Sequence, residues 1–160
     1  MQHDGNQLFE TITSDYGHII NKVCYFYAAN VDDFDDMRQE TLINLWRGAE
    51  RFRGESALSS WVYRVAINSC VSYFRKNRRP DSTPIDLHPE LITDDTDKAS
   101  MLREMYQLIN RLGDVDKAIV LMWLDGYDYE TIAEVTGLNR PTVGTRLHRI
   151  KEKLVKMSNS

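Results

Sequence analysis

The sequence predicts an all-α protein: two small helical domains, 1–79 and 101–160, joined by an acidic linker over 80–100, with a helix-turn-helix in the second domain. Three observations carry that reading. Apolar residues recur at three- and four-residue steps from Leu8 to Tyr73 and again from Leu102 to Met157. Between these stretches Pro80, Pro84 and Pro89 exclude a continuous helix in a segment dense in Asp, Ser and Thr. Near the end, Asp128, Gly137, Asn139 and Pro141 stand where one short helix would be capped, turned and followed by another.

Leu8, Ile12, Ile19, Ile20, Val23, Phe26 and Tyr27 predict a core helix through about Asn30, broken near Gly17, whose aromatic run Tyr25 to Tyr27 serves packing. The segment that follows has two organised faces. Phe34, Thr41, Leu42, Leu45, Ala49 and Phe52 form the apolar one, while Asp36, Gln39, Glu40, Ile43 and Arg47 form the other. An isoleucine inside a polar face suggests a protein contact, because a solvated face has little use for it. The acids Asp32, Asp33, Asp35 and Asp36 suit the first turn of a helix through the macrodipole, and no histidine or further carboxylate pattern completes a metal site.

From Phe52 to Arg79 a polar loop leads into a strongly two-faced helix and a basic run. Leu58, Val62, Val65, Ala66, Ser69 and Tyr73 fall on the core side, and Arg64, Asn68 and Arg75 on the opposite side. With Lys76, Arg78 and Arg79 these make a donor-rich surface that attracts phosphate and can read a base edge. Trp61 lies at the border, either as a core tryptophan or as a platform for an unpaired base, the latter worth roughly 1–3 kcal/mol per stacked base.

The net charge of −4 does not exclude nucleic acid, because it hides segregation. Acids gather at Asp32 to Asp36 and from Asp81 to Asp97, bases at Arg47 to Arg79 and Arg140 to Lys156, so local fields decide the partner. Cys24 and Cys70 match no metal or redox spacing and are expected to be buried free thiols. With no signal peptide and no membrane-length apolar run, a cytoplasmic protein without membrane insertion is expected.

The run Phe34 to Glu40 with Leu45-Trp46, then Trp61 to Arg64 with Ala66 and Asn68, then Arg75-Lys76, resembles region 2 of the sigma-70 family in its small extracytoplasmic-function (ECF, group 4) branch. The resemblance implies that Asp36, Gln39, Glu40 and Ile43 bind core RNA polymerase. It implies equally that Trp61, Arg64, Asn68, Arg75 and Lys76, with the loop from Arg53 to Ser60, face the promoter minus-10 element. Phe34 and Leu42 depart from the small residue and the aromatic usual in the docking helix, and Ile67 from the basic residue usual before the asparagine. Since opening a duplex costs a few kcal/mol per unstacked base, a protein without fuel must capture the extruded base as it appears.

In the last third, Leu102, Met105, Leu108, Ile109 and Leu112, then Ala118, Ile119, Leu121, Met122 and Leu124, continue the core pattern. Asp128 caps a helix from Tyr129 to Thr136, Gly137 permits the turn, and Asn139 caps the next helix. There Val143, Leu147, Ile150, Leu154 and Met157 point inward, and Thr145, His148, Arg149 and Lys156 outward, flanked by Arg140 and Arg146. That division suits a recognition helix, with Arg149 for guanine edges and the flanking bases for phosphates. The stretch resembles sigma region 4, which implies minus-35 contacts by Arg140, Thr142, Thr145, Arg146, His148 and Arg149. Gly144 stands where that family often has a reading residue.

The two resemblances, in order and suitably spaced, imply an ECF sigma factor that binds core RNA polymerase and promoter DNA, assists melting and initiates transcription. They imply an anti-sigma factor as a further partner, no cofactor, and no enzymatic activity of its own. Two rivals stand beside this reading. A stand-alone helix-turn-helix regulator would bind duplex DNA without polymerase, and the Ile43 face counts against it. A metal-dependent nucleic-acid enzyme would need a general base, nucleophile or phosphate cradle that the sequence lacks.

Overall fold

The computed structural model describes residues 2–77 and 93–159, with side chains from Gly5 onward. These residues form eight α-helices: α1 (Gln2–Asp15), α2 (Gly17–Tyr27), α3 (Val31–Ala49), α4 (Leu58–Lys76), α5 (Thr96–Ile109), α6 (Asp114–Leu124), α7 (Tyr129–Thr136) and α8 (Arg140–Ser158). The proline-rich part of the expected linker, through residue 92, lies outside the described residues.

The expected break falls at Tyr16, which has left helical geometry between α1 and α2. α2 stops at Tyr27, earlier than its periodicity suggests, because Ala28 is extended and the Asn30 side chain accepts from the Asp33 amide (2.8 Å) to start α3. Helix α5 starts before the apolar pattern shows it. Asp95 accepts from the Asp97 and Lys98 amides (2.9 and 3.3 Å) and caps a first turn of largely polar residues, to which hydrophobic periodicity is blind.

α2 is the centre of the first bundle. Its Ile20, Val23, Cys24 and Phe26 meet the buried row Phe34, Met37, Thr41 and Leu45 of α3 and the row Val62, Ala66 and Ser69 of α4. In the second bundle α6 carries the core, with Ala118, Ile119, Leu121 and Met122 buried among Ile132 of α7 and Val143, Leu147 and Ile150 of α8. Leu124 departs from the expected stripe and stands exposed at the helix end, whereas Lys117 is buried.

The two bundles lie against each other and their buried residues form one continuous cluster. α4 shows why. Beside its expected core row it buries a second row, Tyr63, Ile67 and Cys70. A 19-residue helix with apolar residues on two sides needs two neighbours, and α7 supplies the second, with α6 beside Ile67. Around this seam the Tyr27 hydroxyl donates to the Asp114 carbonyl (2.6 Å), the Tyr106 hydroxyl to the Ala28 carbonyl (2.7 Å), and the Asn110 amide to the Phe26 carbonyl (3.3 Å). Tyr63 meets Tyr127 edge to face at 5.3 Å and donates to Asp125, which also pairs with Lys22.

Candidate functional site

Three surfaces carry the residues singled out by sequence. On α3 the buried row leaves Asp36, Gln39, Glu40 and Ile43 pointing outward, all exposed. Ile43 is 43 % exposed, and Trp46, one turn further along the same face, is 52 % exposed. Two large apolar side chains on a solvent-facing helix cost free energy unless a partner covers them. Trp46 is missing from the residues expected at this face, although its spacing from Ile43 would have found it; its indole donates to Asn6 on α1 (3.2 Å). Asp36 differs from its neighbours, since Tyr73 of α4 donates to both Asp33 (3.1 Å) and Asp36 (3.0 Å). Burial, helped by those two carboxylates, raises the Tyr73 hydroxyl above the ordinary tyrosine range. Two members of the acid cluster therefore tie α3 to α4.

On α4, Arg64, Asn68, Arg75 and Lys76 are exposed. Trp61 is half-buried against Phe52, ring centroids 5.0 Å apart, which combines the two readings of that residue: one face packs and the rest borders a cleft. Gly48 makes the packing feasible, because a Cβ there would sit 2.8 Å from the indole ring. The cleft has a volume of about 470 Å³ and is lined by Phe52, Arg53, Ser56, Trp61 and Arg64, and also by Glu134 of α7. Arg64 donates into the Glu134 carbonyl. A second cleft of about 250 Å³ puts Asn68, Ser72 and Arg75 opposite Val115, Val135 and Thr136 of the second bundle. The basic face of α4 is thus partly roofed by α6 and α7, a placement that no local sequence pattern could reveal.

The third surface is α8. Asp128 accepts from the Thr131 amide (2.8 Å), which holds its carboxyl below the ordinary range, and Gly137 adopts φ +78°, the left-handed turn that favours glycine. Asn139 accepts from the Thr142 amide (2.9 Å) and Pro141 sits in the first turn. The cap and turn residues thus do what their spacing predicts. Arg140, Thr145, His148 and Arg149 face solvent, while Thr142 is half-buried. Arg146 is drawn aside: it donates to Asp116 of α6 (3.0 Å), so it serves first as a clamp between α8 and α6. His148 lies 3.2 Å from Glu152, and the Thr145 hydroxyl bonds back to the Pro141 carbonyl (3.0 Å). Lys151 covers the Trp123 ring at 4.2 Å. Arg140 helps hold the Asp128 carboxyl low, and Arg149 makes no ion pair among the described residues.

Two clefts beside basic residues and a capped helix-turn-helix with an exposed arginine face form a protein of DNA-recognising class. Comparison with known proteins makes this specific. Residues 13–80 match the Sigma-70 region 2 family and residues 102–154 match Sigma-70, region 4. The chain is 32 % identical over 167 aligned positions to the ECF RNA polymerase sigma-E factor of Haemophilus influenzae, covering 95 % of this chain and 88 % of that one. It is 28 % identical over 167 positions to the ECF RNA polymerase sigma-E factor of Escherichia coli K12, covering 95 % and 87 %. In fold it is similar to the sigma factor RpoE of Bartonella quintana, solved in complex with the anti-sigma factor NepR (TM-score 0.72, 21 % identity, 94 % of this chain and 97 % of that one). It is likewise similar to CnrH, solved in complex with the cytosolic domain of CnrY (TM-score 0.70, 19 % identity, 96 % and 89 %).

The chain belongs to the sigma-70 family, in its ECF branch. It is a sigma factor, which binds core RNA polymerase, directs it to promoters and initiates transcription. Among the described residues no helix is long and apolar enough to cross a membrane.

Proposed function

We propose that the three surfaces divide that activity among them. The face of α3 with Gln39, Glu40 and Ile43, extended by Trp46 and bordered by Asp36, docks on core polymerase. The face of α4 captures the minus-10 element: Trp61 and the cleft beside it take an extruded base, and Arg64, Asn68, Arg75 and Lys76 hold the strand. The α8 face reads the minus-35 duplex, with Arg149 at base edges, Thr142, Thr145 and His148 making shorter contacts, and Arg140 and Arg146 at phosphates. Domains over 1–79 and 101–160 with a linker over 80–100 suit this division. So do a cytoplasmic site of action and the absence of catalysis by the chain itself. The observation that carries the reading is one chain presenting both a tryptophan-bordered basic cleft and a capped recognition helix.

The test is transcription by core polymerase from a set of promoter templates, with and without the protein, comparing wild type with Gln39→Ala and Arg149→Ala. Protein-dependent, promoter-specific transcripts that fall with both substitutions are expected. Arg149→Ala should cost roughly 1–3 kcal/mol of duplex affinity, about 5- to 150-fold. Retained duplex binding with no stimulation of polymerase would instead mark a stand-alone regulator.

The closed arrangement supports a regulated protein. With Arg64 bonded to α7 and the tryptophan cleft walled by Glu134, the minus-10 face is partly covered until the bundles part. An anti-sigma factor that favours the closed form would hold the protein silent, and core polymerase, by separating the bundles, would release it. Equal promoter affinity of the isolated protein and its polymerase complex at one salt concentration would count against this masking.

A further inference from the structure

Cys24 of α2 and Cys70 of α4, 46 positions apart in sequence, bring their sulfurs to 3.7 Å in the core of the first bundle. Both are free and fully buried. Cys24 also lies 3.9 Å from the Thr41 hydroxyl, which donates to the Met37 carbonyl (2.8 Å), so its sulfur is held on the side facing its partner. Cys70 lies on the α4 row with Tyr63 and Ile67, and Ile67 lines the cleft between α4 and α6. Above it Lys117 of α6, only 6 % exposed, stands with its ammonium 5.1 Å from the Tyr27 ring and acts electrostatically on the Cys70 sulfur. Burial, helped by the neighbouring Cys24, pushes the Cys70 thiol well above its ordinary range although Lys117 pulls the other way, so little reactive thiolate forms in the closed protein.

We propose that Cys24 and Cys70 are an oxidation site gated by separation of the two bundles, taking a hydroperoxide as oxidant and yielding an intramolecular disulfide between α2 and α4. Cys70, the thiol on which Lys117 of α6 acts, is the attacking group. Its thiolate attacks the peroxide, the O–O bond breaks, and Cys70 becomes a sulfenic acid while water or an alcohol leaves. The Cys24 thiol then attacks that sulfur, forming the S–S bond and expelling water. The thiols together lose two protons and two electrons, and the peroxide is reduced by two electrons. The sulfurs need only close from contact to the disulfide length of about 2.05 Å. The state able to engage a promoter is therefore the peroxide-sensitive one, and the closed state shields the pair. This goes beyond sigma activity and its test needs no polymerase.

The full-length protein is treated with hydrogen peroxide and followed by intact mass under non-reducing conditions, comparing wild type, Asp125→Ala, Cys24→Ala and Cys70→Ala. Asp125→Ala removes the acceptor shared by Lys22 and Tyr63 across the seam, and Lys22→Ala provides an independent opened variant. The opened variants should lose two hydrogens about tenfold faster than wild type, since reaction through opening follows the open population. Cys24→Ala should leave a Cys70 sulfenic acid that dimedone captures, and Cys70→Ala should be inert. Equal rates in wild type and both opened variants would overturn the gating. Absence of an intramolecular disulfide in every protein carrying both cysteines would overturn the site itself.

Discussion

The two helices proposed to face DNA are treated differently by the fold. α4 has its basic side partly roofed: Arg64 is bonded to α7, and both clefts along the helix have a wall from the second bundle. α8 keeps Arg140, Thr145, His148 and Arg149 in solvent, while Arg146 is paired with Asp116 of α6 and His148 lies beside Glu152. The difference follows from what each helix must bury. α8 has a single apolar row, and one bundle satisfies it; α4 has two, and the second is satisfied only when the bundles close. Covering is thus tied to hydrophobic burial on the helix proposed to capture unpaired DNA, whereas the helix proposed to read duplex is left available.

The contrast breaks most severely at Tyr106. It is 2 % exposed, packs at 5.1 Å from Tyr25 and donates to the Ala28 carbonyl, so it belongs to the seam as much as to α5. Tyr106→Ala should cost about 3–5 kcal/mol, in line with removal of a large buried aromatic. Denaturant unfolding should show the loss, and small-angle scattering should show an expanded particle. If stability falls while the particle stays compact, Tyr106 stabilises its own bundle and not the closure.

Asp125→Ala sharpens the comparison with less damage. Lys22 and Tyr63 both converge on this carboxylate, which is about a third exposed, so screening limits the expected cost to about 1–2 kcal/mol of closure. Interdomain energy transfer between labels on α1 and α8 should fall. Binding of a single-stranded minus-10 oligonucleotide should rise severalfold, while minus-35 duplex binding stays as in wild type. Equal gains for both ligands would remove the distinction between a covered and an open face.

The smallest effect is a pH dependence. Burial lowers the Lys117 pKa from 10.5 to about 8 in the closed protein, against the pull of Asp114 and Cys70. The closed state therefore holds this proton less tightly than the opened one, and closure strengthens as pH rises from about 8 toward 10.5. The Cys70 thiol, raised in the closed state, opposes this once its ordinary value of 9.0 is reached, and the Tyr27 hydroxyl does so above 10.0. Between pH 7.5 and 9 closure should thus gain up to about 1 kcal/mol, read as higher energy transfer. Lys117→Met should flatten the profile; a profile unchanged by that substitution would assign the dependence to another group.

Much of the molecule could be read along one dimension. The caps at Asp128 and Asn139, the glycine turn at 137, the outward rows of α3 and α8 and the break beside Gly17 all follow from interactions within a few residues, which is why spacing suffices to find them. The candidate reading residues were legible for the same reason, since one helical face can be written down from its period of 3.6 residues. What escaped was everything set by distant segments. The Tyr63, Ile67 and Cys70 row looked like spare apolar content until α6 and α7 covered it. The pairing of Arg146 with Asp116 of α6 was not legible, and two cysteines of unremarkable spacing became a pair in contact. The sequence alone determined that the chain is helical, the outward faces of α3 and α8, and the family. Only the tertiary structure decided which face is hidden, because that depends on how two apolar surfaces far apart in the chain remove each other from water.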